Sequence, residues 1–148
     1  AGGRHADKRT PPPEGSFIGR LHDDPGYIDA LARRVVKHGE QKGSARSHGG
    51  KLFFSFHGIP KRSVERGDPY ERECRETAAL LAKRIGLNAG DWMVTFQSRF
   101  GRAEWLQPYT EPTLVELAKG GLKRADVFCP GFPSDCLETL EELGIGAR

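Results

Sequence analysis

An apolar, aromatic run that stops abruptly at a histidine constrains the fold more than any other part of this chain. The run is Lys51–His57 (KLFFSFH), and Gly58, Ile59 and Pro60 follow it at once. Aromatic side chains suit a packed, pleated surface, whereas glycine and proline cannot continue a strand ladder. The run therefore predicts a buried strand that delivers His57 to the edge of a sheet. A core histidine bonded to a backbone carbonyl is the simpler interpretation, and this stretch alone leaves both open.

Composition places the chain among soluble globular proteins. Its 148 residues suffice for one domain with a real core, and 36% of them are hydrophobic. The mean hydropathy is −0.58, and no apolar run approaches the length of a membrane span. The three cysteines, Cys74, Cys129 and Cys136, have no CxxC spacing. This pattern favours a reducing compartment, and hence the cytoplasm, over a disulfide scaffold.

The charge pattern argues against nucleic acid as a partner. The net charge of +3 comes from 23 basic and 20 acidic residues spread along the whole chain. A basic stripe with interleaved aromatic residues would be needed for nucleic-acid binding, and the chain offers only isolated basic pairs. A mildly positive surface is compatible with peripheral contact to an anionic membrane or with a ligand that carries carboxylates.

Helical and strand patterns alternate along the chain. Residues 1–16 contain three consecutive prolines and almost nothing apolar, which predicts a disordered or linker segment, whereas residues 17–148 read as one domain. Helices are expected from Asp24-Pro25 to just before Gly39, at 70–85 and at 110–119, and a last one follows a cap at Ser134 or Asp135. Strands are expected at 51–57, 92–97 and 125–129. This order predicts an α/β fold, a parallel sheet with helices on both faces.

Polar groups follow each predicted strand at the point where it ends. His57 ends the first strand, Gln97, Ser98 and Arg99 follow or end the second, and residues 130–135 follow the third. The carboxyl ends of parallel strands meet at one edge of the sheet, where ligands bind. Three separate segments therefore converge on one cleft, which favours a functional role for His57.

The last predicted helix carries two acidic residues on one side. Glu138 and Glu142 are four positions apart and so point the same way. A carboxylate pair opposite an imidazole can bind a divalent cation or move protons. The alternative is an ordinary solvated helix face. A third hypothesis is an anion or nucleotide site at the helix start near Ser134, but the chain has neither a GxGxxG motif after a strand nor a P-loop lysine.

Five motifs in order resemble those of ferrochelatase, specifically the bacterial type. The likeness runs from about Phe17 to Leu143, and the chain looks like the carboxyl-terminal half of such an enzyme, cut short. The motifs lie at Ser55–Pro60, Gly67–Tyr70, Phe96–Gly101, Trp105–Thr110 and Cys129–Glu142.

The resemblance implies a Rossmann-like, chelatase-type half and an enzyme of haem biosynthesis. The implied reaction inserts ferrous iron (Fe2+) into a porphyrin, protoporphyrin IX or coproporphyrin III. On this basis His57 and Glu138 are the catalytic and metal-handling residues, and Glu142 is a further metal ligand. The porphyrin-binding residues implied by the motifs are Gln97, Ser98, Arg99, Trp105 and Phe132.

The resemblance also implies what this chain lacks. Its partner would be an amino-terminal half of the same enzyme, and the chain would end before the family's last strand and helix. Iron enters as a substrate, and no tightly bound cofactor is expected. The cysteine group that binds an iron–sulfur cluster in some members is missing, so no cluster is expected either. A fragment that binds porphyrin or metal without turnover is the alternative. The residues leave open whether His57 takes protons, holds the metal, or does both.

Overall fold

The predicted apolar run forms the central strand of a three-stranded parallel sheet. The structure, a computed structural model, describes residues 19–146, so the predicted linker at residues 1–16 lies outside the described residues. The strands are β1 (Lys51–His57), β2 (Trp92–Gln97) and β3 (Ala125–Phe128), in the order β2-β1-β3. The register places Leu52 opposite Trp92 and His57 opposite Gln97, and it places Phe54 opposite Phe128.

Five helices accompany the sheet within the described residues. They are α1 (Pro25–Lys42), α2 (Lys61–Glu65), α3 (Tyr70–Arg84), α4 (Thr110–Lys119) and α5 (Glu138–Gly146). A single turn of 3₁₀-helix at Arg46–His48 leads into β1. The predicted alternation of helices and strands is confirmed, and so is the α/β class.

The two faces of β1 are covered by different helices. Successive side chains of a strand point to opposite faces. Leu52, Phe54 and Phe56 share one face and belong to a core with residues of α1 and α3, among them Leu31, Ala78 and Leu81. Ser55 points the other way, where its hydroxyl lies 2.8 Å from Thr110 Oγ1 at the start of α4. Helices therefore pack on both faces of the sheet, as predicted.

Two predicted boundaries near β1 are wrong. Helix α1 does not end before Gly39 but continues to Lys42, and Gly43 follows it with a φ of 76°. A glycine inside a helix costs only about 1 kcal/mol, so the left-handed glycine one turn later sets the end. The segment after Pro60, in which no helix was predicted, contains α2.

The last helix differs from its prediction in start and winding. It was expected to be capped by Ser134 or Asp135, yet α5 begins at Glu138 and is a π-helix of 9 residues. Such i→i+5 winding is rare and usually occurs as a single turn near a functional site. Leu140 in this helix and Leu137 just before it are 58% and 73% exposed, so the described residues leave an apolar surface uncovered here.

Truncation of a central-strand aromatic should be far more costly than truncation of an exposed one. Phe54 is fully buried, whereas Phe100 is 78% exposed. We expect Phe54→Ala to lower the free energy of unfolding by about 3–5 kcal/mol. Phe100→Ala should lower it by about 1 kcal/mol, the value of one edge-on aromatic contact. Urea unfolding followed by circular dichroism measures both, and equal losses would contradict this description of the core.

Candidate active site

His57 is held at the last position of β1 by bonds to its ring and its backbone. Its Nδ1 lies 2.6 Å from the carbonyl oxygen of Gly58. A carbonyl only accepts, so Nδ1 carries a proton, and in the neutral ring the lone pair is on Nε2. The Tyr70 hydroxyl donates to the backbone carbonyl of His57 at 2.9 Å. The backbone-bonded interpretation and the functional one are therefore compatible, because the bond to Gly58 leaves Nε2 available for a proton or a metal.

Aromatic rings flank the imidazole on two sides. The ring centroids of Trp105 and Phe132 lie 6.2 and 6.4 Å from that of His57. Trp105 is only 7% exposed, and the exposed ring of Phe100 meets it edge-on with centroids 5.6 Å apart. The site therefore has an apolar wall in which Trp105 is the inner layer and Phe100 the outer one.

Gly58 is required by the close approach of two other segments. Its N–H donates to the carbonyl of Gln97 at 2.8 Å, which extends the β1–β2 pairing by one bond. An added Cβ would lie 3.1 Å from that oxygen and 3.2 Å from Cε3 of Trp105. Only glycine lets β1, the end of β2 and the Trp105 ring meet here without displacement.

Glu138 is ionised and sits at the first turn of α5. Its own backbone N–H, the Cys136 thiol and the nearby His57 together hold the pKa of the Glu138 carboxyl below its ordinary value of 4.5. A carboxylate in this state is a base or a metal ligand, not a proton donor, at neutral pH. The backbone carbonyl of Glu138 accepts from Gln97 Nε2 at 3.0 Å, so the end of β2 is tied directly to this turn.

Glu142 is bound by Ser98. One carboxylate oxygen of Glu142 accepts from the Ser98 N–H at 2.7 Å and the other accepts from its hydroxyl at 3.0 Å. Ser98 adopts a φ of 65°, a left-handed conformation that non-glycine residues rarely take. This conformation aims both donors at one carboxylate, so the backbone strain at Ser98 is offset by a two-point contact with α5.

The structure brings the predicted residues to one edge but does not assemble a metal site from them. Across the described part of the chain, one group of three side chains has its ligand atoms within 4.8 Å of one another, and it is His22, Asp23 and Glu76. The predicted set of His57, Glu138 and Glu142 does not form such a group. The carboxylate of Glu142 is instead bound to Ser98.

The group at His22 consists of an imidazole between two exposed carboxylates. His22 Nε2 lies 3.3 Å from a carboxylate oxygen of Glu76 on α3, and its Nδ1 lies 3.7 Å from Asp23. Asp23 is 58% exposed. Exposed acidic groups near an imidazole are common without an ion, so we assign no metal to them.

Arg99 is placed to contact a ligand, whereas the Cys129 thiol is not ionised at neutral pH. The Arg99 guanidinium lies 5.1 Å from the centroid of the Tyr109 ring and is exposed, so its charge can meet a ligand carboxylate. Burial raises the pKa of the Cys129 thiol to about 12. A thiol with so high a pKa is neither a nucleophile nor a metal ligand at neutral pH.

A cavity lies at the opposite end of the sheet. It measures about 770 Å³ and is lined by the start of β1 at Leu52, by Asp91 before β2 and by Ala125 in β3. Ligands of parallel α/β sheets bind at the carboxyl ends of the strands, so this cavity is not the expected ligand site. None of the predicted site residues lines this cavity.

Sequence reasoning missed three residues that shape the site. Phe100 covers Trp105. Ser55 and Thr110 belong to a cluster of buried, hydrogen-bonded side chains that contacts Gln97. An exposed aromatic directly after a strand end was a usable signal for Phe100. Ser55 stands in the middle of an aromatic strand, where a buried polar residue needs a partner, and that was a second signal.

Comparison with known proteins identifies the family. A family model described as ferrochelatase matches residues 3–148. The chain belongs to the ferrochelatase family. The fold and the motif assignment predicted from the sequence are thereby confirmed.

Curated ferrochelatases match most of this chain but are much longer. The protein from Polaromonas sp. strain JS666 is 56% identical over 136 residues, which is 92% of this chain and 36% of that protein. The relative from Methylibium petroleiphilum is 55% identical over the same shares of both chains. The one from Herminiimonas arsenicoxydans is 54% identical over 145 residues, 98% of this chain and 38% of its own length. The chain thus spans little more than a third of these relatives.

None of the helices in the described part of the chain is long and apolar enough to cross a membrane.

The lowered pKa of Glu138 leads to a prediction about its titration and about the pH dependence of stability. We expect its carboxyl to titrate below 4.5, and His57→Ala should raise the pKa by part of the shift, because His57 is the last of the causes. A depressed carboxyl pKa stabilises the fold above the unfolded pKa, and this contribution is lost as the pH falls through the folded value. The stability difference between the wild type and Glu138→Gln should therefore shrink on acidification.

Carbon-13 NMR titration of the glutamate carboxyls measures this pKa directly. A value for Glu138 at or above 4.5 would contradict the assigned hydrogen bonds.

Proposed function

We propose that this chain is the part of a ferrochelatase that carries its metal- and proton-handling residues. The observation that supports the proposal most is the pairing of His57, whose Nε2 lone pair is free of the bond to Gly58, with the ionised Glu138 at the same sheet edge. The family of the chain supports the substrates, a porphyrin and ferrous iron (Fe2+). The reaction belongs to the whole enzyme, of which this chain is little more than a third by the length of its relatives.

The chemistry needs two bases and a weakly held cation. Insertion removes the protons of two pyrrole N–H groups and forms metal–nitrogen bonds to the porphyrin, so two protons leave as one divalent cation enters. His57 Nε2 and the Glu138 carboxylate are groups that can each accept a proton or donate a lone pair to iron. In the proposed reaction they hold the cation briefly and pass it to the macrocycle.

Weak ligation suits a site that must give its metal away. Two protein ligands are fewer than the four of a closed structural site. Glu142 is proposed as the next acidic group along the metal path, and its contact with Ser98 keeps it from adding a permanent third ligand. Delivery therefore does not have to overcome a tight site.

The porphyrin is proposed to lie against the exposed parts of the aromatic wall. Phe132 is half-buried and Phe100 is exposed, and the exposed guanidinium of Arg99, the residue before Phe100, is proposed to meet a propionate. Trp105 supports this surface from beneath. Gln97, expected from the sequence to border the porphyrin, is only 3% exposed, and we assign it a supporting role instead.

The rest of the enzyme is proposed to supply the opposing wall of the cleft, including the amino-terminal half. The anion or nucleotide hypothesis is not favoured, because α5 begins at Glu138 instead of Ser134 and its first turn is acidic. The absence of a tightly bound cofactor or an iron–sulfur cluster, the cytoplasmic location and peripheral membrane contact stay predictions.

Zinc insertion into a soluble porphyrin tests the assigned roles. The measurement is best made on this chain and on Polaromonas ferrochelatase with this chain in place of its matching 136 residues. In the chimera, His57→Ala and Glu138→Gln should each lower the rate by about 100-fold or more, since each removes a proton-transfer group. Glu141→Gln is the matched control on the same helix and should leave the rate unchanged. Circular dichroism establishes that each variant is folded.

The outcomes separate the hypotheses. Retained activity in either His57→Ala or Glu138→Gln would show that the roles are wrong. Porphyrin quenching of Trp105 fluorescence by the isolated chain without metallation, together with an active chimera, would mean that this part binds and the whole enzyme turns over.

A further inference from the structure

A buried group of polar side chains lies directly beneath the candidate active site. Thr110 Oγ1 lies 3.0 Å from Thr95 Oγ1 and 2.8 Å from Ser55 Oγ, and the Ser55 hydroxyl donates to Gln97 Oε1 at 2.6 Å. We call these four residues the buried hydroxyl–amide group. Their exposures are 0% for Ser55 and Thr95, 2% for Thr110 and 3% for Gln97.

The backbone carbonyl of Glu138 fixes the orientation of the Gln97 amide, and the Ser55 hydroxyl completes it. A carboxamide has one accepting end and one donating end, and the two ends are told apart only by their partners. Ser55 donates to the oxygen, and the backbone carbonyl of Glu138, which can only accept, takes the Nε2–H at 3.0 Å. Turning the amide over would set its oxygen against the Glu138 carbonyl oxygen and lose that bond in a buried place, while the Ser55 hydroxyl could still accept from the turned Nε2–H.

The amide is thus a bridge between the rigid sheet and the first turn of α5. Ser55, Thr95 and Gln97 belong to β1 and β2, and their positions follow from the strand register. Glu138 lies on a π-helix, whose wide winding is rare and depends on its surroundings. A bond from Gln97 to the carbonyl of Glu138 therefore sets where the carboxylate of the same residue stands relative to His57.

We propose that Gln97 is a positioning residue, held in place by Ser55 and Thr110, that places Glu138 opposite His57 for metal handling. The effect of Gln97 on metal handling rests on the proposed function. The hydrogen bond from Gln97 to Glu138 does not. Groups that orient metal ligands from behind typically change metal affinity by about 10-fold or more when lost.

Substitutions at Thr110 and Gln97 test the link, with Thr77 as the matched control. Thr110→Val and Gln97→Leu remove polar contacts while keeping similar volume, and Thr110→Ser keeps the hydroxyl. Thr77 is another buried threonine, at 4% exposure, and its hydroxyl donates to the carbonyl of His22 at 2.7 Å. Thr77→Val therefore loses a buried hydroxyl bond without touching the site.

Two readouts are measured on the 148-residue chain. Amide hydrogen exchange at residues 138–146 reports the order of α5 without any metal. Titration with Co²⁺, followed by its visible absorption, reports affinity and coordination at the metal site. Thr110→Val and Gln97→Leu should speed exchange in α5 and weaken Co²⁺ binding by about 10-fold. Thr110→Ser should behave like the wild type, and so should Thr77→Val.

The exchange measurement decides the structural link by itself. Unchanged exchange in α5 of Thr110→Val and Gln97→Leu, or equal acceleration in Thr77→Val, would overturn the inference. A Co²⁺ signal in the wild type that His57→Ala does not remove would count against the proposed function, while faster exchange in Thr110→Val would still support the positioning role. Faster exchange with unchanged Co²⁺ affinity would overturn the claim that Gln97 acts on metal handling.

Discussion

The parallel pairing of β1 with β2 is the constraint on which the candidate active site depends. Its register sets His57 beside Gln97, and the bond from Gly58 N–H to the carbonyl of Gln97 continues the pairing past the end of the strand. A slip of one residue would turn every side chain of β1 to the opposite face. His57 would then point into the apolar core, and the amide of Gln97 would lose its partner on Ser55.

The two faces of the sheet have different tasks. The face toward α1 and α3 is apolar and supplies the burial that stabilises the fold, with Phe54 and Phe56 at its centre. The face toward α4 buries Thr95, Ser55 and Gln97, which is favourable only because each finds a hydrogen-bond partner. An apolar set there would pack at lower cost. The polar set instead makes the position of the neighbouring helix α5 depend on specific bonds.

Local patterns were sufficient for the parts of the fold that depend on burial. The aromatic run of β1 and the apolar stripe of α3, closed by Gly86 with its φ of 73°, could be predicted because period and cap are written in neighbouring residues. The convergence of His57 and Glu138 on one edge followed from the parallel sheet. The π-helical winding of α5 could not be predicted, because contacts from Gln97 and Ser98, forty residues away in sequence, hold it. The positive φ of Ser98 could not be predicted either, because nothing in the neighbouring sequence requires it.

The two sides of the site differ in how firmly they are held. His57 belongs to the central strand. Its ring is hydrogen-bonded to the carbonyl of Gly58, and its backbone carbonyl accepts from the Tyr70 hydroxyl. The acidic residues stand on a helix fastened by bonds from Gln97 and Ser98, and the Ser98 bonds end on the Glu142 carboxylate itself. In the proposed reaction a cation would compete with Ser98 for that carboxylate, whereas no hydrogen bond within the described residues occupies Nε2 of His57. Movement during metal delivery is therefore expected on the α5 side, with the imidazole as the fixed point toward which the cation is passed.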